Sequence, residues 1–142
     1  MAYEDVEGLV FQGEPSFVWL ERVSEADIVE YLGRCQPTEY HPDVIPLICR
    51  FPFSEPEHIE FVCQRFHKLL IKSDKYLYHY RERIDILVFI AGFLEAAGFA
   101  AGVEQLVFHR NLLLKQAFAA DSPEVLSLNH AINNLYRLKF SR

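Results

Sequence analysis

In several segments of this chain apolar residues recur three and four positions apart, and this period constrains the fold more than any other feature. Ile28, Tyr31, Leu32 and Cys35 stand at i, i+3, i+4 and i+7. Ile59, Val62, Cys63 and Phe66 repeat the pattern, and Ile45, Ile48 and Cys49 begin it again. At 3.6 residues per turn each set lies along one side of a helix. Val125, Leu128, Ile132, Leu135 and Tyr136 make a further stripe, which leaves His130, Asn133, Asn134 and Arg137 on a solvated side. No segment alternates apolar and polar residues long enough to build a sheet, so the expected fold is all-α.

Helix starts are marked independently of this period. Ser24 precedes Asp27 by three positions and Ser54 precedes Glu57 by three, the spacing of a capping box in which hydroxyl and carboxylate each accept an orphaned N–H. Ser122-Pro123-Glu124 predicts a third start, because proline loses nothing at the first helical position and the carboxylate complements the positive end of the helix. Residues 75–97 predict a long helix that becomes apolar all round after Arg83 except at Asp85, and residues 102–119 the next, with a break near Ser73-Asp74. Gly8, Gly13 and Pro15 punctuate residues 1–23, which read as an irregular arm entering a short helix, with a small hairpin as the alternative. The expectation is a single domain over residues 1–142, a compact bundle of six or seven helices with antiparallel neighbours, its helical core at 24–142 and the 75–97 helix at its centre.

Size permits this. A chain of 142 residues can remove roughly 70% of its unfolded surface from water, and 51% hydrophobic residues supply one core. A net charge of −6 sets the chain as a whole against nucleic acid and anionic membranes. The opening "MAYEDVEGLV" holds three acids and no base, the reverse of a secretory signal, so the mature chain is expected to start here. "ILVFIAGFLEAAGFAAGV", residues 86–103, approaches the length of a membrane span, but its three glycines and Glu95 favour a buried helix that stops near Gly98 and Gly102.

Cys35, Cys49 and Cys63 lie fourteen residues apart. Shifting the sequence by fourteen also superposes Pro42 on Pro56, Asp43 on Glu57 and Ile45 on Ile59. The unit reads as a short helix-turn element in which proline and an acid open the helix and cysteine, a small core filler, closes its buried face. Three cysteines without a CxxC pair fit a reducing compartment, with the cytoplasm as the default. Zinc ligands normally come in close pairs, and only Cys63 with His67 offers such a spacing. The same two residues are the one local thiol–imidazole candidate for nucleophilic catalysis, against which stands the placement of Cys63 in an apolar stripe. The glycines form neither a GxxxxGK[ST] loop nor a GxGxxG turn, and HExxH, ExxH pairs and GxSxG are absent. The chain is therefore expected to carry no cofactor or metal and not to be an enzyme.

Tyr76, His79, Tyr80 and Arg83 line one stripe of the 72–83 segment and form the expected partner-binding site, since rigid aromatic rings and arginine anchor protein interfaces. The function read from the sequence is a non-enzymatic protein–protein interaction domain, an adaptor, regulator or inhibitor of the immunity type. Its partner would be another protein or a second copy of the chain. One alternative is a nucleic-acid-binding domain using Lys68, Lys72, Lys75, Arg81 and Arg83 as a basic patch; the other is a thiol- or metal-dependent enzyme built on Cys63 and His67. Glu95, without a partner in its own helix, is expected to reach solvent.

Overall fold

A computed structural model describes residues 4–13, 16–72, 84–115 and 119–140. Among these the chain is helical without a strand: α1 (Asp5–Phe11), α2 (Ser16–Arg22), α3 (Glu25–Arg34), α4 (Val44–Arg50), α5 (Pro56–Lys72), α6 (Ile84–Ala97), α7 (Val103–Lys115) and α8 (Pro123–Phe140). Two 3₁₀ turns, Pro37–Glu39 and Ala100–Gly102, lie between α3 and α4 and before α7.

Eight α-helices stand among the described residues where six or seven were expected, and the difference arises at the N-terminus. Residues 5–11, expected as an irregular arm, form α1, which packs on α2, α3 and α4. The tie is Trp19, 1% exposed, whose indole N–H donates to the Val6 carbonyl oxygen at 2.8 Å. A buried indole needs one acceptor, and a backbone carbonyl oxygen has two lone pairs with which to serve it. Glycine in α1 costs about 1 kcal/mol of intrinsic propensity, so tertiary packing of Val6 and Leu9 holds a helix that local sequence does not announce.

One cluster of buried residues runs from Val6 to Leu135. Within it α6 touches α4, α5 and α8, and buries Ile86, Leu87, Ile90, Ala91 and Leu94. The apolar stripes fall largely where the period puts them. Ile28, Tyr31 and Leu32, then Val62, Cys63 and Phe66, then Val125, Leu128, Ile132 and Leu135 are all buried, while Cys35, Ile59 and Tyr136 are half-buried at the edges. The fourteen-residue unit yields different ends: Cys35 is the C-cap of α3, Cys49 lies in the last turn of α4, and Cys63 lies inside α5, which continues to Lys72.

Two of the three expected starts form as written. Ser24 accepts the Asp27 N–H at 3.1 Å while the Asp27 carboxylate accepts the Ser24 N–H at 3.0 Å. At α8, Pro123 is the first helical residue and the Ser122 hydroxyl accepts the Val125 N–H. The Ser54–Glu57 box gives way to a longer-range cap. The Glu25 carboxylate, from the first turn of α3, accepts the Ser54 N–H at 2.8 Å, the Glu55 N–H at 3.1 Å, the Ser54 hydroxyl and His58 Nδ1–H. One ionised group thus satisfies donors that a serine hydroxyl could satisfy only singly, and charge-assisted bonds are the stronger kind. Chiefly through the Ser54 N–H, and then His58 and Glu55, the Glu25 carboxyl is held at about 2, against an ordinary 4.5.

At its other end α6 closes as a Schellman motif. Gly98 takes φ +69°, the Phe99 N–H donates to the Leu94 carbonyl at 2.9 Å, and the Gly98 N–H to Glu95 at 3.0 Å. No described helix is long and apolar enough to cross a membrane.

Two outcomes follow from these ends. Glu25 is ionised more readily in the folded than in the unfolded chain, so its contribution is complete above pH 4.5 and is lost as pH falls toward 2. Glu25→Gln should lower the melting temperature at pH 7 and flatten the acid limb of stability between those values, as read by circular dichroism. Gly98→Ala should cost about 1 kcal/mol in urea unfolding, because a Cβ is strained at this φ even though the nearest side-chain atom leaves it room.

Candidate functional site

Tyr76, His79, Tyr80 and Arg83, the expected partner-binding residues, lie outside the described residues, as do Lys75, Arg81 and the 73–74 break. Of the basic set, Lys68 and Lys72 are described and both are exposed on α5.

The thiols are placed for packing. Cys63 is 1% exposed between Val62 and Phe66, and burial pushes its thiol up to about 12, with the Glu60 charge adding to the shift. Burial likewise raises the thiol of Cys49, and Cys63 adds to it. Burial also raises that of Cys35, whose carbonyl oxygen accepts an Arg65 N–H at 2.8 Å. The thiolate is the nucleophile and the metal ligand, and all three shifts disfavour it. His67 does not meet Cys63: its Nε2 pairs with Gln105 Oε1 at 3.1 Å, its ring lies edge-on to Phe99, and no hydrogen bond joins it to the thiol. Among the described residues no three His, Cys, Asp or Glu side chains gather where they could hold one ion.

Two polar clusters are structural in form. Tyr31 O–H donates to the Glu7 carboxylate and accepts the His41 N–H, which binds α1 to α3 and to the connection beyond it. Tyr40 O–H donates to the Leu32 carbonyl at 2.6 Å and accepts from Arg65 Nε at 2.7 Å, so Arg65 joins α5 to the end of α3. Burial raises both phenols, and the carboxylate beside Tyr31 adds to its shift whereas Arg65 opposes that of Tyr40. Glu95, expected to reach solvent, is instead half-buried: Asn134 Nδ2 donates to it at 2.6 Å and His130 Nε2 stands 3.8 Å away. Its partner comes from α8, thirty-nine positions on, where a helix-local reading does not look.

The described surface also carries an apolar trough, formed where the α4–α5 connection and α5 run beside the end of α6. A hollow of about 460 Å³ is walled by Pro56, Ile59, Glu60 and Cys63 on α5 and by Gly98 and Phe99 opposite. A second, about 300 Å³, is walled by Phe51, Pro52, Phe53 and Phe93, with Cys49 at its edge. Ile59, Ala96 and Ala97 belong to both, so the two hollows are adjacent across a shared wall. Pro56, Ile59, Glu60 and Cys63 stand at i, i+3, i+4 and i+7, which places them along one line of α5. Rings run from the smaller hollow into the interior: Trp19 meets Phe51, Phe53 meets Phe93 and Phe93 meets Phe66 edge to face, and Phe51 meets Phe53 at a tilt, with centroids 5.0 to 6.4 Å apart. Beyond Gly98 the apolar surface continues to Leu138, 49% exposed, whose Cδ1 lies 3.8 Å from where a Gly98 Cβ would sit. Sequence reasoning named Cys49, Pro56, Ile59, Cys63 and Gly98 for their helices and did not bring them together as a surface; "FPF", two rings around a proline, was a local sign it left unused.

Comparison with known proteins finds no family model, no curated protein and no solved structure that matches the chain.

The thiol geometry has a direct test. In native protein at pH 7.5, Cys63 should resist a maleimide that labels all three cysteines after unfolding, with the sites identified by peptide mass mapping. Rapid native labelling of Cys63 would show an accessible thiolate instead.

Proposed function

We propose that this chain is a non-enzymatic protein–protein interaction domain, an adaptor, regulator or inhibitor, and that the trough between α5 and the end of α6 is its docking surface. The observation that carries the reading is the pair of adjacent hollows, the larger of mixed polar and apolar lining and the smaller backed by the rings of Phe51, Phe53 and Phe93. Protein interfaces concentrate binding energy in central apolar pockets that exclude water, and a wall that does not rearrange reduces the entropy lost on binding. Ala96, Ala97 and Gly98 support the same reading, because small exposed residues let another backbone or side chain approach closely. The buried thiols beside the trough are consistent with recognition and not with covalent chemistry.

A photo-crosslinking residue tests this in the producing cells. Placed at Ala97 it should trap a discrete protein, and at Glu30, which walls neither hollow, it should not. Adding Ala96→Arg to the Ala97 probe should remove the product. Equal crosslinking at both positions, or a product that survives the blocked trough, would overturn the reading.

A further inference from the structure

The docking reading is the premise of one further step, which concerns the chemistry of the partner. We infer that the trough takes a basic amphipathic helix of a partner protein, its apolar side chains in the two hollows and its lysines or arginines against Glu57 and Glu60.

Charge comes first. Glu60 forms part of the wall of the larger hollow, and Glu57 lies one turn earlier along α5. Neither carboxylate has an ion pair among the described residues, and the contact Glu60 makes is a long one, 3.5 Å, from the Gln64 amide. Of the described cations nearby, Arg65 is held on Tyr40 and the Cys35 carbonyl, His58 on Glu25, Lys139 on Glu104 and Arg50 over the Phe89 ring, while Lys68 and Lys72 on α5 and Arg137 on α8 are exposed and belong to the wall of neither hollow. The negative field of Glu60 reaches the trough itself, since it raises the Cys63 thiol. A like-charged partner would be repelled, and a basic one drawn in and oriented.

Shape gives the helix. The hollows are separated only by the side chains they share, Ile59, Ala96 and Ala97, so they suit two neighbouring apolar residues of one ligand, the i and i+3 or i+4 spacing of a helix face. An extended peptide would gain most by pairing with a sheet edge, and the described chain has none. A second copy meeting the first about a twofold axis would bring two copies of Glu57 and Glu60 into one interface, within a chain already at −6.

The probe is a fluorescein-labelled peptide of about 18 residues, long enough to hold a helix, with leucines four positions apart and lysines on both flanks. Its counterpart carries glutamate in place of lysine. Fluorescence anisotropy with the full chain should show the lysine peptide binding at least about tenfold more tightly than the glutamate peptide, with the difference shrinking as salt rises. Glu57→Lys with Glu60→Lys should reverse the order, and Ala97→Trp should weaken both peptides by about tenfold or more. All of these substitutions fall on exposed positions, and unchanged circular dichroism melting confirms that the variants fold.

Peptides blocked by Ala97→Trp but indifferent to the charge reversal would overturn the basic partner and leave the docking surface standing. Insensitivity to both variants, together with no Ala97 crosslink, would remove the docking surface and this inference with it. A native dimer in sedimentation velocity that Ala97→Trp dissociates would make the occupant a second copy and overturn the inference.

Discussion

The five residues from Phe51 to Glu55 carry the arrangement on which the rest depends, because they are held from two sides by unlike forces. On the polar side, Glu25 takes the N–H groups of Ser54 and Glu55 and fixes the start of α5 to the start of α3. On the apolar side, Phe51 and Phe53 enter a run of rings that reaches Trp19 at one end and Phe66 at the other. Neither force alone would suffice. A carboxylate cap fixes the position of a helix end but leaves its rotation open, and ring packing without directional bonds tolerates sliding. Together they fix the line of α5 against α6, and the trough is the space this leaves.

Packing and joining also account for the placement of the three cysteines and of three of the six histidines. The thiols lie against the interior faces that the helical period assigns them, where a neutral sulfur packs like hydrocarbon and a thiolate would be desolvated. Three imidazoles join elements: His58 to Glu25, His67 to Gln105, and His109, buried in α7, to the Leu70 carbonyl at 2.8 Å. Each of these contacts links residues more than thirty positions apart, so they act as ties between helices.

Such ties mark the limit of what the sequence disclosed. The stripe of α3 and the caps at Ser24 and Ser122 were legible, since each depends on residues within a turn or two of one another. The cap of α5 was misread because a local carboxylate, Glu57, and a distant one, Glu25, compete for the Ser54 N–H, and the distant one also gathers the Glu55 N–H and His58. Glycine and proline between residues 8 and 15 hid α1, whose helix rests on packing with α2, α3 and α4. The expected partner stripe at Tyr76, His79, Tyr80 and Arg83 falls outside the described residues. As for the trough, its α5 wall follows a period that could be read, but its other wall comes from Phe93 to Phe99 and its end from Phe51 to Phe53. No spacing rule joins three segments across forty-nine positions of sequence, from Phe51 to Phe99.

The small residues at the end of α6 complete the argument about why this surface stays open. A leucine or phenylalanine at Ala96 or Ala97 would have filled the hollows and extended the core outward, at a gain in buried apolar area. The helix instead finishes on two alanines and a glycine whose positive φ turns Phe99 back toward Leu94. That turn directs one ring into the wall of the trough and leaves the space before it unfilled. Exposed apolar surface is the part that folding alone leaves unfavourably hydrated, and Glu57 and Glu60, which have no ion pair among the described residues, add negative charge beside it. A ligand that brings both hydrocarbon and positive charge is the chemistry that satisfies the two at once.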